Sequence, residues 1–248
     1  MIILKIILAI ILIALCVGIA ATIIELLTKP GVHKPNGIYE RCLKRGLDAF
    51  LSTGAIIVFS PILIVLTVAG AIKMKGNPFF VQKRPGMIDR KTGKERIISL
   101  LKFRSMSNER DADGNLLPDE MRLNKYGRIL RATSLDELPS LFNMLIGQIS
   151  VVGPRPWLCK YLDYYNDWER QRHLVRPGLT GLSQASGRNA LTWKDRFEKD
   201  IEYVNNVSFL FDVKIIIMTV KKVFNHEGIE FEEGHQSIIE YFNSRIDT

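Results

Sequence analysis

The chain has 248 residues, 47% of them hydrophobic and 24% charged, and its 34 basic and 26 acidic side chains give a formal charge of +8. This apolar content excludes an intrinsically disordered chain, because disordered chains cannot bury enough apolar surface to fold. A polytopic membrane protein is excluded as well, since it would need many more long apolar runs. The positive charge indicates an anionic partner such as acidic lipid, nucleic acid or a phosphorylated substrate.

The first apolar run covers residues 6–24 and is long enough to cross a hydrocarbon core of about 30 Å. A cleaved signal peptide is the alternative, but the run is longer than a signal core, and Glu25 follows it without a small-residue cleavage site. We therefore expect a membrane helix over residues 1–28. The Pro/Gly-containing segment 29–37 is predicted to be a linker.

The second apolar run, residues 47–72, carries Ser60 and Pro61 at its middle. Proline removes a backbone donor and favours a kink, and each half of the run spans only about 18–20 Å as a helix. Basic residues flank both ends, which favours a re-entrant segment over a kinked spanning helix because positive charge marks the cytoplasmic side. We assign residues 38–75 to an interfacial and re-entrant membrane helix whose basic start meets anionic lipids.

The remainder is predicted to be one cytosolic α/β domain, mainly helical with a small β-hairpin, over residues 76–230, followed by a C-terminal tail at 231–248. Strands are expected at 78–82 and 95–103 around a turn at 89–94. The expected helices cover residues 135–146, 158–174, 192–205 and 208–225.

The adjacent acids Asp136 and Glu137 open the first of these helices. A structural interpretation is that Ser134 and Glu137 form a capping box and that acids favour the positive helix start. A functional interpretation uses the same geometry, since a helix start would keep Asp136 ionised. An ionised carboxylate can attack phosphorus to give an acyl phosphate, and two adjacent acids can hold Mg²⁺.

Basic residues surround this pair in the sequence, and a pyrophosphate substrate would need such cations. They are Lys102, Arg104, Arg131, Arg155, Arg176 and Arg188. Singly, each is more typical of a solvated surface or lipid-facing charge than of a ligand. Arg155 is the exception, because the flanking prolines stiffen its backbone. Asp111 and Asp113 form a DxD pattern, which is more typical of a loop turn than of a metal site. No helix-turn-helix or aromatic platform is evident, so no nucleic-acid partner is expected.

The sequence resembles the bacterial sugar transferases, the monotopic polyprenyl-phosphate phosphoglycosyl transferases, in order over roughly residues 38–230. Its C-terminal part, including FEEGH at 231–235, is similar to the small members that transfer a diacetamido sugar phosphate. The N-terminal helix departs from that small type. The matching stretches are KRGLD at 44–48, Ser60-Pro61, FFVQKRPG at 79–86, KFRSM at 102–106, LRATSLDELPSLFNMLIGQISVVGPRP at 130–156 and RPGLTGLSQASGRN at 176–189.

The resemblance implies that a UDP-sugar and polyprenyl (undecaprenyl) phosphate react to give a polyprenyl diphosphate sugar and UMP. Asp136 would form a covalent phosphosugar, with Glu137 assisting through Mg²⁺ or as a proton acceptor. Phosphates would be held by Lys102, Arg131 and Arg155, the nucleotide would contact Arg188, and Asp200 is a weaker site candidate. The implied location is the bacterial inner membrane, with the catalytic domain facing the cytoplasm.

Two other functions remain open from the sequence. One is a non-catalytic, cationic scaffold anchored to the membrane. The other is a metal-dependent glycosyltransferase that uses Asp111 and Asp113 and releases UDP instead of UMP. We expect an N-acetylated amino or diacetamido sugar, with a neutral hexose as the alternative, and the sequence specifies neither the glycan pathway nor an oligomeric state.

Overall fold

A computed structural model describes residues 2–28, 33–35, 37–187, 191–224 and 237–244. Across these residues the chain is mainly helical with small two-stranded sheets, which confirms the predicted class. Arg188 and the FEEGH motif lie outside the described residues, as do residues 29–32 and 36 of the predicted linker.

The described helices and strands include most of the expected ones, with some differences in extent, and several short ones besides. The helices are α1 (Ile2–Thr28), α2 (Lys44–Lys73), α3 (Asp119–Arg122), α4 (Lys125–Ala132), α5 (Ser140–Leu145), α6 (Asp167–Arg170), α7 (Leu182–Ser186), α8 (Trp193–Asn205), α9 (Phe209–Phe224) and α10 (Ile238–Ser244). The strands are β1 (Phe79–Ile88), β2 (Glu95–Phe103), β3 (Ser150–Val152) and β4 (Gly178–Thr180). Helices α8 and α9 confirm the predicted helices at 192–205 and 208–225. The hairpin of β1 and β2 confirms the predicted strands, with β1 longer than expected.

The predicted continuous helix at 158–174 is wrong, because the chain breaks at Tyr165 and Asn166. A 3-10 helix covers Cys159–Tyr164, and another covers Gln171–Leu174. Tyr165 is extended, and the Asn166 side chain accepts the Glu169 N–H at 2.9 Å while Glu169 accepts the Asn166 N–H. This reciprocal cap begins a new helix, α6. The apolar periodicity of the sequence continues across this boundary, which is why a single helix was predicted.

The chain divides into two compact units, which are described separately. The first consists of Met1–Val17, Ala49–Lys83 and Ser99–Ile146. Its core contains Leu63, Phe103 and Leu130, from α2, β2 and α4, and the Phe79 ring stacks on Phe103 at 5.4 Å. The Tyr126 hydroxyl donates to the Leu66 carbonyl at 2.9 Å, so α4 is tied to α2 by a hydrogen bond as well as by apolar packing.

Helix α2 continues without interruption through Ser60 and Pro61. Proline cannot donate to the carbonyl four residues earlier, that of Ile57, but the Ser60 hydroxyl donates to this carbonyl at 2.8 Å. The Ser-Pro pair therefore keeps the Ile57 carbonyl satisfied. Helices Ile3–Thr28 and Tyr39–Lys73, the latter including a π-helical turn at Tyr39–Leu43, are each long and apolar enough to cross a membrane. The re-entrant course of the second stays a prediction.

The second unit consists of Gly18–Asp48, Arg84–Ile98 and Gly147–Thr248. Strands β3 and β4 pair in parallel at its centre, with Ser150 opposite Gly178. A Cβ atom on Gly178 would lie 2.1 Å from the Gly153 nitrogen, so this close approach requires glycine. The strands pack on α8 and α9 through a buried apolar cluster that includes Val152, Tyr203 and Ile215.

The start of α2 is tied to this core by polar contacts. Buried Lys44 forms an ion pair with buried Asp212 of α9. The Tyr203 hydroxyl oxygen lies 2.8 Å from the same carboxylate, and Asp48 accepts the Val151 N–H at 3.0 Å. The KRGLD segment therefore holds the start of α2 against β3 and α9, which is a structural reason for its charged residues.

The C-terminal end of α1 contacts the same region. A Cβ atom on Gly46 would lie 2.2 Å from Thr22 Oγ1 and 2.9 Å from the Gly18 carbonyl oxygen, so α1 and α2 meet backbone to backbone there. Small residues permit such close helix contacts in membranes. The Arg176 guanidinium lies 2.7 Å from Glu25, which adds an ion pair between α1 and the segment before β4.

This helix contact predicts that Gly46→Ala destabilises the protein by about 1–3 kcal/mol, because the new methyl group would collide with the backbone of α1. The matched control is Gly54→Ala on the same helix, where no atom lies within 4 Å of the added Cβ. That change should be neutral or stabilising by up to roughly 1 kcal/mol. Thermal unfolding in nanodiscs measures both, and a Gly46→Ala protein as stable as wild type would contradict the contact.

Candidate active site

The predicted acidic pair lies on a short turn between α4 and α5. Ser134 follows α4 in the left-handed conformation, with φ of 56° and ψ of 18°, and redirects the chain. Asp136 and Glu137 then lie on a 3-10 helix, Leu135–Glu137. The predicted capping box is wrong, because the Ser134 side chain makes no cap hydrogen bond and its backbone carbonyl accepts the Glu137 N–H at 3.2 Å. The predicted helix at 135–146 is likewise only six residues long, as α5.

A lysine of the neighbouring strand binds one acid of the pair. Lys102 Nζ, from β2, lies 2.7 Å from Glu137 Oε1, and the two side chains are 15% and 25% exposed. Both groups are therefore partly removed from water, which strengthens their attraction relative to that of an exposed pair. In this structure the lysine is therefore paired with Glu137.

Two side chains of α5 hold that helix against β2. The buried Asn143 amide accepts the Leu101 N–H at 2.9 Å and donates to the Ser99 carbonyl at 2.8 Å. The Ser140 hydroxyl donates to the Leu101 carbonyl at 3.0 Å. These bonds fix the backbone immediately before Lys102 relative to the acidic turn. Neither residue was predicted to support the site, although polar side chains three apart on an apolar helix are a detectable signal.

Burial raises the pKa of the Asp136 carboxyl above its ordinary value. The positive charge of Lys102 acts in the opposite direction, the negative charge of Glu137 raises the pKa further, and Arg131 lowers it. A backbone hydrogen bond to the carboxylate favours the anion, as expected at a helix start, but loss of water has the larger effect on the pKa. Asp136 is thus a partly desolvated carboxyl beside two cations.

The first unit also contains Arg131 and Arg104. Arg131, near the end of α4, is exposed, and its Nε lies 3.0 Å from Ser105 Oγ. Gly127 permits this placement, because a Cβ atom there would lie 1.8 Å from the Ser105 carbonyl oxygen. Arg104 follows β2 and its backbone N–H donates to the Pro78 carbonyl at 2.7 Å. The first unit therefore brings Lys102, Arg131, Asp136 and Glu137 together.

The remaining described candidates, Arg155 and Asp200, lie in the second unit. Asp200 is fully buried on α8 and pairs with Arg172 at 2.6 Å. Arg172 also donates to the Arg155 backbone carbonyl at 2.6 Å. Arg84 donates to the next carbonyl, that of Pro156, at 2.9 Å. Neither Arg84 nor Arg172 was predicted as a site residue, because a guanidinium that binds a carbonyl distant in sequence has no local sequence pattern.

The DxD pattern is part of a loop turn, as predicted. Asp111 Oδ1 accepts the backbone N–H groups of Asp113 and Asn115 at 3.0 and 2.8 Å. Over the described part of the chain, no group of three or more His, Cys, Asp or Glu side chains could hold a metal ion. Asp136 and Glu137 still offer two adjacent carboxylates, and this donor set fits Mg²⁺, which takes one or two carboxylates with substrate phosphate oxygens.

Comparison with known proteins identifies a family match over most of the chain. The model of the bacterial sugar transferase family matches residues 39–226. The uncharacterized sugar transferase EpsL of Bacillus subtilis is 47% identical over 190 residues, which cover 76% of this chain and 90% of that protein.

Two further relatives carry names that state an activity. The UDP-glucose:undecaprenyl-phosphate glucose-1-phosphate transferase of Klebsiella pneumoniae is 40% identical over 199 residues, which cover 76% of this chain and 41% of that protein. The UDP-N-acetylgalactosamine-undecaprenyl-phosphate N-acetylgalactosaminephosphotransferase of Aeromonas hydrophila is 31% identical over 202 residues. These residues cover 78% of this chain and 46% of that protein. The chain thus spans less than half the length of these two relatives.

The charges around Asp136 predict that Lys102→Met raises the pKa of the Asp136 carboxyl, because a cation that favours the anion is lost. The matched control is Lys91→Met, which removes the same charge from an exposed position in the hairpin turn and should leave that pKa unchanged. Carbon-detected NMR titration of aspartate-labelled protein, with Asp136→Asn to assign the signal, measures the value. An unchanged or lower pKa in Lys102→Met would contradict the described electrostatics.

Proposed function

The chain belongs to the bacterial sugar transferase family, and on this premise we propose that it transfers a sugar 1-phosphate from a UDP-sugar to polyprenyl phosphate and releases UMP. The names of the Klebsiella and Aeromonas relatives support both substrates. The observation that carries the proposal is the partly buried Asp136 beside the Lys102–Glu137 pair. A carboxylate beside cations is suited to react with a phosphate group.

The proposed reaction has two displacements at one phosphorus atom. In the first, an Asp136 oxygen forms a bond to the β-phosphorus of the donor, the bond from that phosphorus to the bridging oxygen breaks, and UMP leaves. In the second, a phosphate oxygen of polyprenyl phosphate attacks the phosphosugar on Asp136. The acyl phosphate bond breaks, the polyprenyl diphosphate sugar leaves and the carboxylate is restored. Partial burial of Asp136 limits competing attack by water on the acyl phosphate.

Lys102 and Arg131 are assigned by their positions around the acidic turn, and Arg155 and Arg188 by the family motifs alone. Lys102 and Arg131 are proposed to bind phosphate oxygens during the displacement, with Arg104 close in the chain. Arg155 is proposed to bind a donor phosphate, and Arg188, which lies outside the described residues, to contact the nucleotide. Glu137 holds Lys102 and can supply a carboxylate to Mg²⁺, and the ion would neutralise charge on the phosphate oxygens.

The sugar is proposed to be an N-acetylated amino or diacetamido sugar. Support comes from the similarity of the C-terminal part to the small diacetamido-transferring members, and from the N-acetylgalactosamine named for the Aeromonas relative. The Klebsiella relative is named for glucose, so a panel of UDP-sugars must contain both kinds of donor. UMP release across that panel identifies the sugar.

The membrane arrangement is proposed to follow from α1, α2 and α9. Helix α1 would cross the inner membrane, and α2 would enter and leave on the cytoplasmic side, where a nucleotide-sugar made in the cytosol arrives. Helix α9 adds an exposed apolar surface with lysines that suits anionic lipid. Its exposed side chains are Phe209, Leu210, Lys214, Ile217, Val220 and Lys221.

The proposed function predicts that purified protein releases UMP from a UDP-sugar in the presence of polyprenyl phosphate. Asp136→Asn should reduce this release to background, because the amide cannot form the acyl phosphate. Chromatography of the released nucleotide is the measurement, and Asp111→Asn is the matched control, since its carboxylate only supports a loop turn. Release of UDP, or full turnover by Asp136→Asn, would contradict the proposal.

The re-entrant arrangement predicts that both ends of α2 face the cytoplasm. In a cysteine-free background, Lys34→Cys and Lys75→Cys should resist a membrane-impermeant maleimide in intact spheroplasts and react after permeabilisation. Ile3→Cys, at the proposed outer end of α1, is the control for reagent access and should react in intact cells. Labelling of position 34 or 75 from outside would show that α2 spans the membrane.

A further inference from the structure

A fully buried ion pair lies behind the turn that carries Arg155. The Arg172 and Asp200 side chains are 0% and 1% exposed. Arg172 Nε and Nη2 lie 3.0 and 2.6 Å from Asp200 Oδ2, and the Ser183 hydroxyl donates to Asp200 Oδ1 at 2.8 Å. Both carboxylate oxygens thus accept hydrogen bonds from protein donors, and the side chain is 1% exposed.

The same guanidinium extends to the turn itself. Arg172 Nη2 donates to the Arg155 carbonyl at 2.6 Å, and its central carbon lies 5.5 Å from the Trp157 ring centroid. Arg84 donates to the Pro156 carbonyl at 2.9 Å. Two guanidinium groups therefore bind consecutive carbonyls of the Pro-Arg-Pro turn.

The base of the turn is fixed as well. The Gly153 N–H donates to the Thr180 carbonyl at 2.9 Å, and the Gly178 N–H donates to the Pro154 carbonyl at 3.0 Å. The backbone on each side of Arg155 is thus bonded, and the flanking prolines restrict its φ angles. These backbone contacts set the direction in which the Arg155 side chain leaves the turn.

A buried ion pair is a costly way to gain stability, since apolar residues of similar volume are often as stabilising. A guanidinium offers something that apolar residues cannot, because its planar set of donors binds a carboxylate and a carbonyl at once. We propose that Arg172 is a positioning residue that orients Arg155 toward the donor diphosphate, and that Asp200 acts by orienting Arg172. This inference rests on the proposed function of Arg155.

The informative variant is Arg172→Lys. A lysine keeps the buried positive charge beside Asp200, but a single ammonium cannot reproduce the fork that also reaches the Arg155 carbonyl. Asp200→Asn is less suitable, because it would leave Arg172 buried without a counter-charge and could unfold the protein. The matched control is Arg170→Lys. The Arg170 guanidinium donates two hydrogen bonds to the Glu95 carboxylate, at 2.9 and 2.8 Å, and none of its described hydrogen bonds reaches the Pro-Arg-Pro turn.

We expect Arg172→Lys to raise the KM for the UDP-sugar about tenfold with a smaller change in kcat, as misorientation of one charged contact would do. Arg170→Lys should leave both constants unchanged. The decisive measurement is a double-mutant cycle with Arg155→Ala. If Arg172 acts through Arg155, the KM effect of Arg172→Lys should disappear when Arg155 is alanine. An effect of equal size in both backgrounds, or no effect in either, would overturn the inference.

Hydrogen exchange tests the same inference without turnover. Peptides covering residues 153–158 should exchange faster in Arg172→Lys than in wild type or Arg170→Lys, because one backbone anchor of the turn is lost. Unchanged exchange would count against the positioning role. If the wild-type protein released no UMP from any UDP-sugar, the proposed function itself would be wrong. Failure of the positioning role and failure of the proposed function therefore give different results.

Discussion

The contact between the Lys102 ammonium and the Glu137 carboxylate, at 2.7 Å, is the interaction on which the acidic turn depends. Two adjacent carboxyl groups in a partly desolvated position repel each other and disfavour ionisation. A lysine bound to one of them offsets part of that cost and leaves the other, Asp136, beside a cation. The turn therefore combines a carboxyl group with the positive charge that a phosphate substrate requires.

Each unit uses buried polar side chains to fix a backbone that carries a charged residue. In the first unit, Asn143 and Ser140 of α5 bind the β2 backbone next to Lys102. In the second, Arg172 and Arg84 bind the carbonyls at Arg155 and Pro156. Loops and edge strands do not hold their side chains precisely by themselves, and such supporting bonds supply the geometry that a reacting phosphate needs.

The sequence predicted α1, α2, β1, β2, α8 and α9 because their signals are local. Apolar runs long enough for a membrane, short apolar segments on either side of a turn and the apolar face of α9 all depend on neighbouring residues. Local rules failed at Ser134, where a left-handed residue replaced the expected cap, and at Asn166, where a new cap interrupted an apolar period. Lys102, Arg131, Asp136 and Glu137 were found from composition and family resemblance. The supporting roles of Asn143 and Arg172 depend on contacts between segments that are distant in sequence, and local sequence patterns do not predict such contacts.

The central claim is that Asp136 carries the phosphosugar between donor and lipid. Mass spectrometry of acid-quenched protein, mixed with the UDP-sugar in the absence of polyprenyl phosphate, tests it most directly. The account predicts a mass increase of one sugar phosphate, located by peptide mapping to Asp136 and lost when polyprenyl phosphate is added before the quench. UMP release under turnover conditions without any such adduct, or an adduct on another residue, would contradict it.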